Sequence, residues 1–338
     1  MKNIIDINVI AEVGLAHEGS MTLALSYIDQ IANSGADAVK FQTHISKSES
    51  TKFDKFRVKS KYVTDKNRLE YWDRTSFNKE QWLKLKNYSE KKGLIFLSSP
   101  FSIEAVDILE ELSVKAWKIG SGEVNNLPLI EKIAKTKKPI FLSSGMSTYK
   151  EIDKILKVIK LYHKKIILMQ CTSLYPCPPE KSGINLIEEL KKKYRLPIGY
   201  SDHTAQIGLQ LAAFTLGAQT IETHVIFDKQ IKTFDATVSI NFKELKFLCG
   251  QIKLIKKALN SNSNKSYLDK ELKKNKFLFE KGIYLKKDIL KNQKISLDFI
   301  DFMKPALGIN AIDYKKTINN KINKNKFKGQ PLYKKDIK

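Results

Sequence analysis

Two of the five histidines in this chain, His203 and His224, close two successive apolar runs, "LPIGYSDH" (196–203) and "QTIETHVI" (219–226). Side chains alternate along an extended strand, so Ser201 shares a face with His203 and Glu222 shares one with His224. If the two runs are neighbouring strands, the imidazoles stand side by side, about 5 Å apart at the backbone. Two imidazoles with carboxylates nearby suit a borderline divalent cation that keeps open coordination positions. A second group points to anion chemistry. Lys40 lies inside "DAVKFQTH" (37–44), followed by Gln42 and His44, and Lys118 lies inside "KAWKIGSG" (115–122). A lysine in an apolar strand is costly to bury unless paired. Facing the hydroxyls of Ser99, Ser121, Ser143, Ser173, Tyr175 and Ser201, two such lysines make an anion cradle. The structural alternative is a salt bridge to Glu12 or Glu123. Cys171 reads as a small apolar packer.

These residues sit at the ends of eight apolar runs, the others being "INVIAEVG" (7–14), "GLIFLSSP" (93–100), "PIFLSSGM" (139–146) and "KIILMQCTS" (165–173). Helical spacing separates the runs, as in 21–36, 79–93 and 208–219. Apolar strands alternating with helices imply parallel βαβ units. Eight units in residues 1–260 imply a closed (β/α)₈ TIM barrel, whose chemistry sits at the C-terminal ends of its strands. Closure puts the first strand beside the eighth, so Glu12 joins the two histidines. Ser20 and Thr22 read as helix caps, and Glu18 as favouring a helix N-terminus. The long polar insert 45–77, carrying Tyr71 and Trp72, lies where barrel enzymes carry lids. After a helix at 242–259, the polar stretch 261–275 reads as a linker, and 276–338 as a small β-rich domain. Within it, 284–296 and 322–337 resemble each other.

The net charge is +24, from 60 basic and 36 acidic residues. Nucleic-acid binding is the first suspicion. Only Arg57, Arg68, Arg74 and Arg195 are arginines, however, and the lysines are scattered, which argues against phosphate and base readout. Residues 261–338 hold 20 lysines and 8 acids, about half of the net charge. No run reaches the roughly 20 apolar residues of a membrane helix, and the acidic start does not read as a signal peptide. Three cysteines without metal spacing fit a reducing, cytoplasmic compartment.

The ordered set "AEVGLAHEGS", "VKFQTH", "LSSPF", "KIGSGEVNNLPLI", "LSSGM", "CTSLYP", "YSDHT" and "ETH" resembles the sialic acid synthase family over nearly the whole chain. The tail, with "YLKKDI" and "MKPALGI", resembles that family's C-terminal antifreeze-like (SAF) domain. The resemblance implies condensation of phosphoenolpyruvate with an N-acetylated sugar aldehyde, N-acetylmannosamine or a close analogue, releasing phosphate. It implies a divalent metal, manganese foremost with magnesium or cobalt as alternatives, on His203 and His224. Lys40, Lys118, Ser121, Ser143, Ser173 and Ser201 would then hold phosphoenolpyruvate, with Ser173 standing where the family has Asn. Glu12 and Glu123 would be the acid/base pair, and Gln42, Tyr175 and Asp235 would contact the sugar. The family is a domain-swapped homodimer in which an Arg-Pro-Gly arginine reaches the partner's barrel. Here the stretch reads Lys304-Pro305-Ala306, so Lys304 keeps the charge and loses the fork. "GSGE" rather than "ASFE" favours the sialic and legionaminic branch over the pseudaminic one.

Overall fold

The computed structural model describes residues 4–56 and 65–338. Eight parallel strands form the ring of one sheet: β1 (Val9–Gly14), β2 (Ala38–Thr43), β3 (Ile95–Pro100), β4 (Trp117–Ile119), β5 (Ile140–Ser143), β6 (Ile166–Cys171), β7 (Ile198–Asp202) and β8 (Thr220–Val225), and a two-residue strand, Ser239–Ile240, pairs with β8 outside the ring. Each ring strand falls inside one of the eight apolar runs. The hydrogen-bonded order is β3-β2-β1-β8-β7-β6-β5-β4, and β3 lies against β4 at the seam. β1 pairs with β8, so the ring closes where the sequence requires it. This is a (β/α)₈ barrel.

The strands are buried on both faces, as parallel strands under helices must be. Outward side chains such as Val9, Ala11, Val39 and Phe41 pack against the helices. The helix Tyr149–Lys160 shows the pattern, burying Ile152, Ile155, Leu156 and Ile159 on one stripe. Thr148 and Glu151 close its first turn as a capping box, worth about 1 kcal/mol. Truncating Ile155 to Ala would cost about 2–5 kcal/mol through the cavity left behind. Ser20 caps the helix Met21–Ser34, accepting from the Leu23 amide, and Gly35 ends it at φ 82° in the left-handed region.

Inward side chains change character along each strand. Ile10, Ala38, Leu97, Phe141, Ile167 and Met169 fill the lower barrel as one apolar cluster. Two residues further on come Glu12, Lys40, Ser99, Ser143 and Cys171, with the period of two carrying each onto the same inner face. The lower half of the ring is thus a core and the upper rim is polar.

Residues 261–338 form a separate compact unit. Strands Gly282–Leu285 and Ile300–Met303 pair antiparallel. Its core is aliphatic: Ile283, Leu285, Ile289, Ile295, Ile300, Ile309, Ile322 and Leu332. The two similar segments bridge to each other, Tyr284 to Pro331 and Ile289 to Lys326. The stretch read as a linker is only partly one. A helix runs Lys270–Phe279, capped by Asp269 with Glu271 in its first turn. It buries none of its residues, so no apolar stripe announced it. The insert after β2 contains helices Ser46–Glu49 and Arg68–Thr75. Residues 57–64 of that insert, Arg57 among them, lie outside the described residues.

Candidate active site

A cavity of about 450 Å³ opens at the strand C-termini, with Glu12, Lys40, Lys118, Ser201 and Glu222 in its lining. The register sets these residues opposite one another: Glu12 against Lys40 and His224, and Ser201 against Glu222. Lys40 Nζ lies 2.7 Å from Glu12 Oε2 and 3.7 Å from Glu222 Oε1. Lys118 Nζ donates to Glu222 Oε1 at 3.0 Å, and Ser201 Oγ donates to the same oxygen at 3.0 Å. Glu222 Oε2 is buried with no hydrogen-bond partner. Burial alone would raise the Glu222 carboxyl, but Lys118 and Lys40 outweigh it and hold its pKa down at about 2. Burial likewise works against the Lys40 charge, and Glu12 with Glu222 more than compensates, leaving its pKa raised.

Around this floor stand the hydroxyls. Ser143, Ser173 and Ser121 line the cavity. Ser121 Oγ accepts from the Gly145 amide at 3.2 Å and lies 3.2 Å from Cys171 Sγ. Gly145 has no room for a side chain: a Cβ there would meet Cys171 Sγ and Ser173 Oγ at 2.5 Å and Ser121 Oγ at 2.7 Å. The glycine lets three strand ends converge on one small space.

The two histidines form the opposite corner, their ring centroids 5.7 Å apart. Tyr175 lies over His203 at 4.1 Å. His203 Nδ1 donates to the Thr172 carbonyl at 2.8 Å, which leaves Nε2 as an acceptor. Burial, aided by the neighbouring His224, lowers the His203 pKa to about 4, so the ring is neutral near pH 7. His224 Nδ1 is buried without a hydrogen bond and lies 3.7 Å from Asp235 Oδ2. Among the described residues no three His, Cys, Asp or Glu side chains converge as a closed metal site. Two imidazoles with unused ring nitrogens nevertheless fit a divalent cation that takes its other ligands from substrate and water.

The family model described as the NeuB family matches residues 27–264. The N,N'-diacetyllegionaminic acid synthase of Campylobacter jejuni is 38% identical over 322 residues, 94% of this chain and 96% of that one. The human N-acetylneuraminate-9-phosphate synthase is 35% identical over 259 residues, 75% of this chain and 71% of that one. The chain belongs to the NeuB family. A solved N-acetylneuraminic acid synthetase from Leptospira borgpetersenii, in complex with citrate, superposes with a TM-score of 0.69 at 31% identity, over 80% of this chain and 90% of that one. The protein is therefore a carbon–carbon bond-forming synthase of the sialic acid type.

Glu123 is not among the residues lining the cavity. It follows β4 in a short 3₁₀ turn, where its carboxylate accepts from Asn126 Nδ2 at 2.8 Å. Burial, with help from Glu49, raises its pKa. The second glutamate of the NeuB floor is Glu222, two residues before His224. The alternation that paired it with His224 was visible in sequence; its contact with both lysines was not. Lys304 belongs to the second unit, exposed, with its ammonium 5.2 Å from the Phe279 ring centroid. Gln42 and Asp235 do line the cavity. Sequence reasoning passed over an aromatic wall of the same cavity. Phe56, Tyr71 and Phe234 pack together at 5.1–6.2 Å between centroids. Glu18 anchors the insert there, accepting from Tyr71 Oη at 3.2 Å and from Arg74 Nη2 at 2.9 Å. Arg68, also on the cavity, pairs with Asp54 at 3.1 Å. Among the described residues no helix is long and apolar enough to cross a membrane.

Proposed function

We propose that this protein condenses phosphoenolpyruvate with an N-acetylated amino-sugar aldehyde and water, giving a nine-carbon 2-keto sugar acid and phosphate. The observation that carries the reading is the convergence of Lys40, Lys118 and five serines with two imidazoles in one cavity. Phosphate and carboxylate suit the lysine and serine side. His203 and His224 would hold the divalent cation, manganese foremost, which when bound supplies a Lewis acid to the aldehyde oxygen. Charge balance supports this. The floor pairs two lysines with Glu12 and Glu222, so an incoming multiply charged anion needs further positive charge nearby.

The enol C3 forms a bond to the aldehyde carbon as the C=O π pair moves onto oxygen, positive charge develops at C2, and the alkoxide becomes a hydroxyl with the proton that the added water later releases. Glu222, held ionised, stabilises that charge without serving as the proton acceptor. Water adds to C2 and gives its proton to a carboxylate, for which Glu12 is the candidate lining the cavity. The tetrahedral intermediate breaks its C2–O bond, and phosphate leaves against Lys40 and Lys118. Gln42, Tyr175 and Asp235 would hold the sugar, with the Phe56–Tyr71–Phe234 wall against its apolar face and acetyl methyl groups.

The 38% relative that spans nearly the whole chain favours a doubly acetylated, legionaminic-type acceptor over N-acetylmannosamine. The second unit is read as an SAF domain that offers Lys304 to a partner's barrel in a swapped homodimer. The three cysteines are buried thiols rather than disulfides, which fits a cytoplasmic enzyme. The test is an acceptor panel with mass spectrometry of the product and a phosphate assay. Phosphate is expected only with phosphoenolpyruvate and an acetamido sugar together, and not in the presence of a chelator. Phosphate released from phosphoenolpyruvate alone would defeat the reading.

A further inference from the structure

His44 is buried directly behind the proposed catalytic carboxylate, and no step above uses it. Its ring lies in an aromatic slot, 4.8 Å from Trp72 at 10° and 4.2 Å from Phe101 at 12°. Its Nδ1 faces Glu49 Oε1 at 2.6 Å, and its Nε2 faces Gln42 Oε1 at 3.2 Å. Gln42 Nε2 in turn donates to Glu12 Oε1 at 2.9 Å, while Lys40 holds the other Glu12 oxygen at 2.7 Å. The chain of contacts runs Glu49, His44, Gln42, Glu12, Lys40.

The direction of each bond follows from chemistry. Only the NH₂ end of the Gln42 amide can face a carboxylate, so its carbonyl must face His44. His44 Nε2 therefore donates. Its other ring nitrogen, Nδ1, is held against Glu49 Oε1 at 2.6 Å. Glu49 and Trp72 both come from the insert after β2, and Ser76 Oγ ties its far end to the His44 carbonyl at 2.9 Å. Without the ring, the Gln42 carbonyl loses its donor and Glu12 alone holds the amide. A flipped amide would turn its oxygen on Glu12, which repels it, and would loosen the carboxylate that must take the proton from water.

We infer that His44 is a positioning residue: locked by the Trp72–Phe101 slot and by Glu49, it orients the Gln42 amide and through it the Glu12 carboxylate. The inference rests on the functional reading above and deepens it.

The test is a double-mutant cycle in the full chain, with phosphoenolpyruvate and the best acceptor of the panel. His44→Phe keeps the aromatic stack and removes both hydrogen bonds. It is expected to lower kcat about 10- to 100-fold, the scale of a small misplacement of a reacting group. KM for phosphoenolpyruvate should stay within about twofold, read at a temperature where the variant is folded, since Glu49 is left buried without its partner. Gln42→Ala should then cost less than about threefold in kcat in the His44→Phe background, read at saturating acceptor so that lost sugar contacts fall in KM, because the two act on Glu12 through one contact. Equal losses for Gln42→Ala in both backgrounds, or near wild-type turnover in His44→Phe, overturn the inference. Should His44→Phe fail to fold, Glu49→Gln leaves the slot intact and is expected to lower kcat in the same way; unchanged kcat there overturns it. A wild-type protein that releases no phosphate with any acceptor sinks the functional reading itself, and this inference with it.

Discussion

Two regions of this molecule bury a lysine against a carboxylate, and they do so differently. In the second unit Lys326 Nζ meets Asp336 Oδ2 at 2.5 Å and the Pro331 carbonyl at 2.6 Å, and Asp336 also accepts from the Tyr333 amide at 3.0 Å. The pair closes the C-terminal turn onto the preceding strand-like segment, and neither residue lines the barrel cavity. In the barrel, Lys40 and Lys118 meet Glu12 and Glu222, one oxygen of Glu222 has no partner, and all four line that cavity. A buried ion pair by itself is weak evidence for either stability or catalysis. Asp336 Oδ1, like Glu222 Oε2, is buried without a hydrogen bond, so what marks the barrel pairs is that they line a space a small anion can enter.

The largest effect expected is at the histidine corner of the rim. His203→Ala should abolish turnover and remove manganese binding measured by calorimetry, with the thermal transition of the barrel retained. Full activity in that variant would break the metal assignment and leave the rim as a purely structural network. Next, Lys118→Ala should lower kcat/KM for phosphoenolpyruvate by about 10²–10³ and also destabilise the fold by about 3–5 kcal/mol, since Glu222 is left buried and uncompensated. Steady-state kinetics and chemical denaturation read the two effects separately. Lys326→Ala sharpens the contrast: a similar loss of about 3–5 kcal/mol in unfolding, with kcat unchanged at temperatures where the chain is folded. A loss of kcat there would show that the second pair serves the chemistry too.

The smallest effect is a pH dependence of stability. The Glu222 pKa is lowered to about 2, so its contribution is full above the unfolded carboxyl pKa and fades as pH falls from about 4.5 toward 2. His17, stacked on Phe77 at 4.6 Å, has its pKa lowered to about 3, chiefly by burial and next by His44. The unfolded chain takes up that proton first, so stability should fall as pH drops from about 6.5 toward 3. Acid titration of the unfolding midpoint should therefore show a shallow decline that steepens below about 4.5, and His17→Gln should flatten the upper part.

The barrel was legible because its signal is one-dimensional: eight apolar runs, helical spacing between them, and a period of two that carried Glu12, Lys40, Ser201 and His203 onto one inner face. Ser20 as a cap followed from local chemistry alone. The rest was hidden because it depends on turn geometry and on contacts between distant segments. Glu123 follows β4 in a 3₁₀ turn, where its carboxylate accepts from Asn126. Glu222 was seen as a neighbour of His224, but its bond to Lys118 spans 104 residues and needs the ring to be closed. The helix Lys270–Phe279 has no buried stripe, so composition alone suggested a linker. The Phe56–Tyr71–Phe234 wall joins the insert to the loop after β8, which no periodicity predicts.

The most direct test of the chemistry assigned to the rim is the fate of the bridging oxygen of phosphoenolpyruvate. With that oxygen labelled as ¹⁸O and a competent amino sugar supplied, water attack at C2 sends the label out with phosphate, and mass spectrometry should find it there in full. Unlabelled phosphate, with the ¹⁸O kept on the carbon skeleton, would mean attack at phosphorus and would contradict the roles given to Glu12, Glu222 and the two lysines.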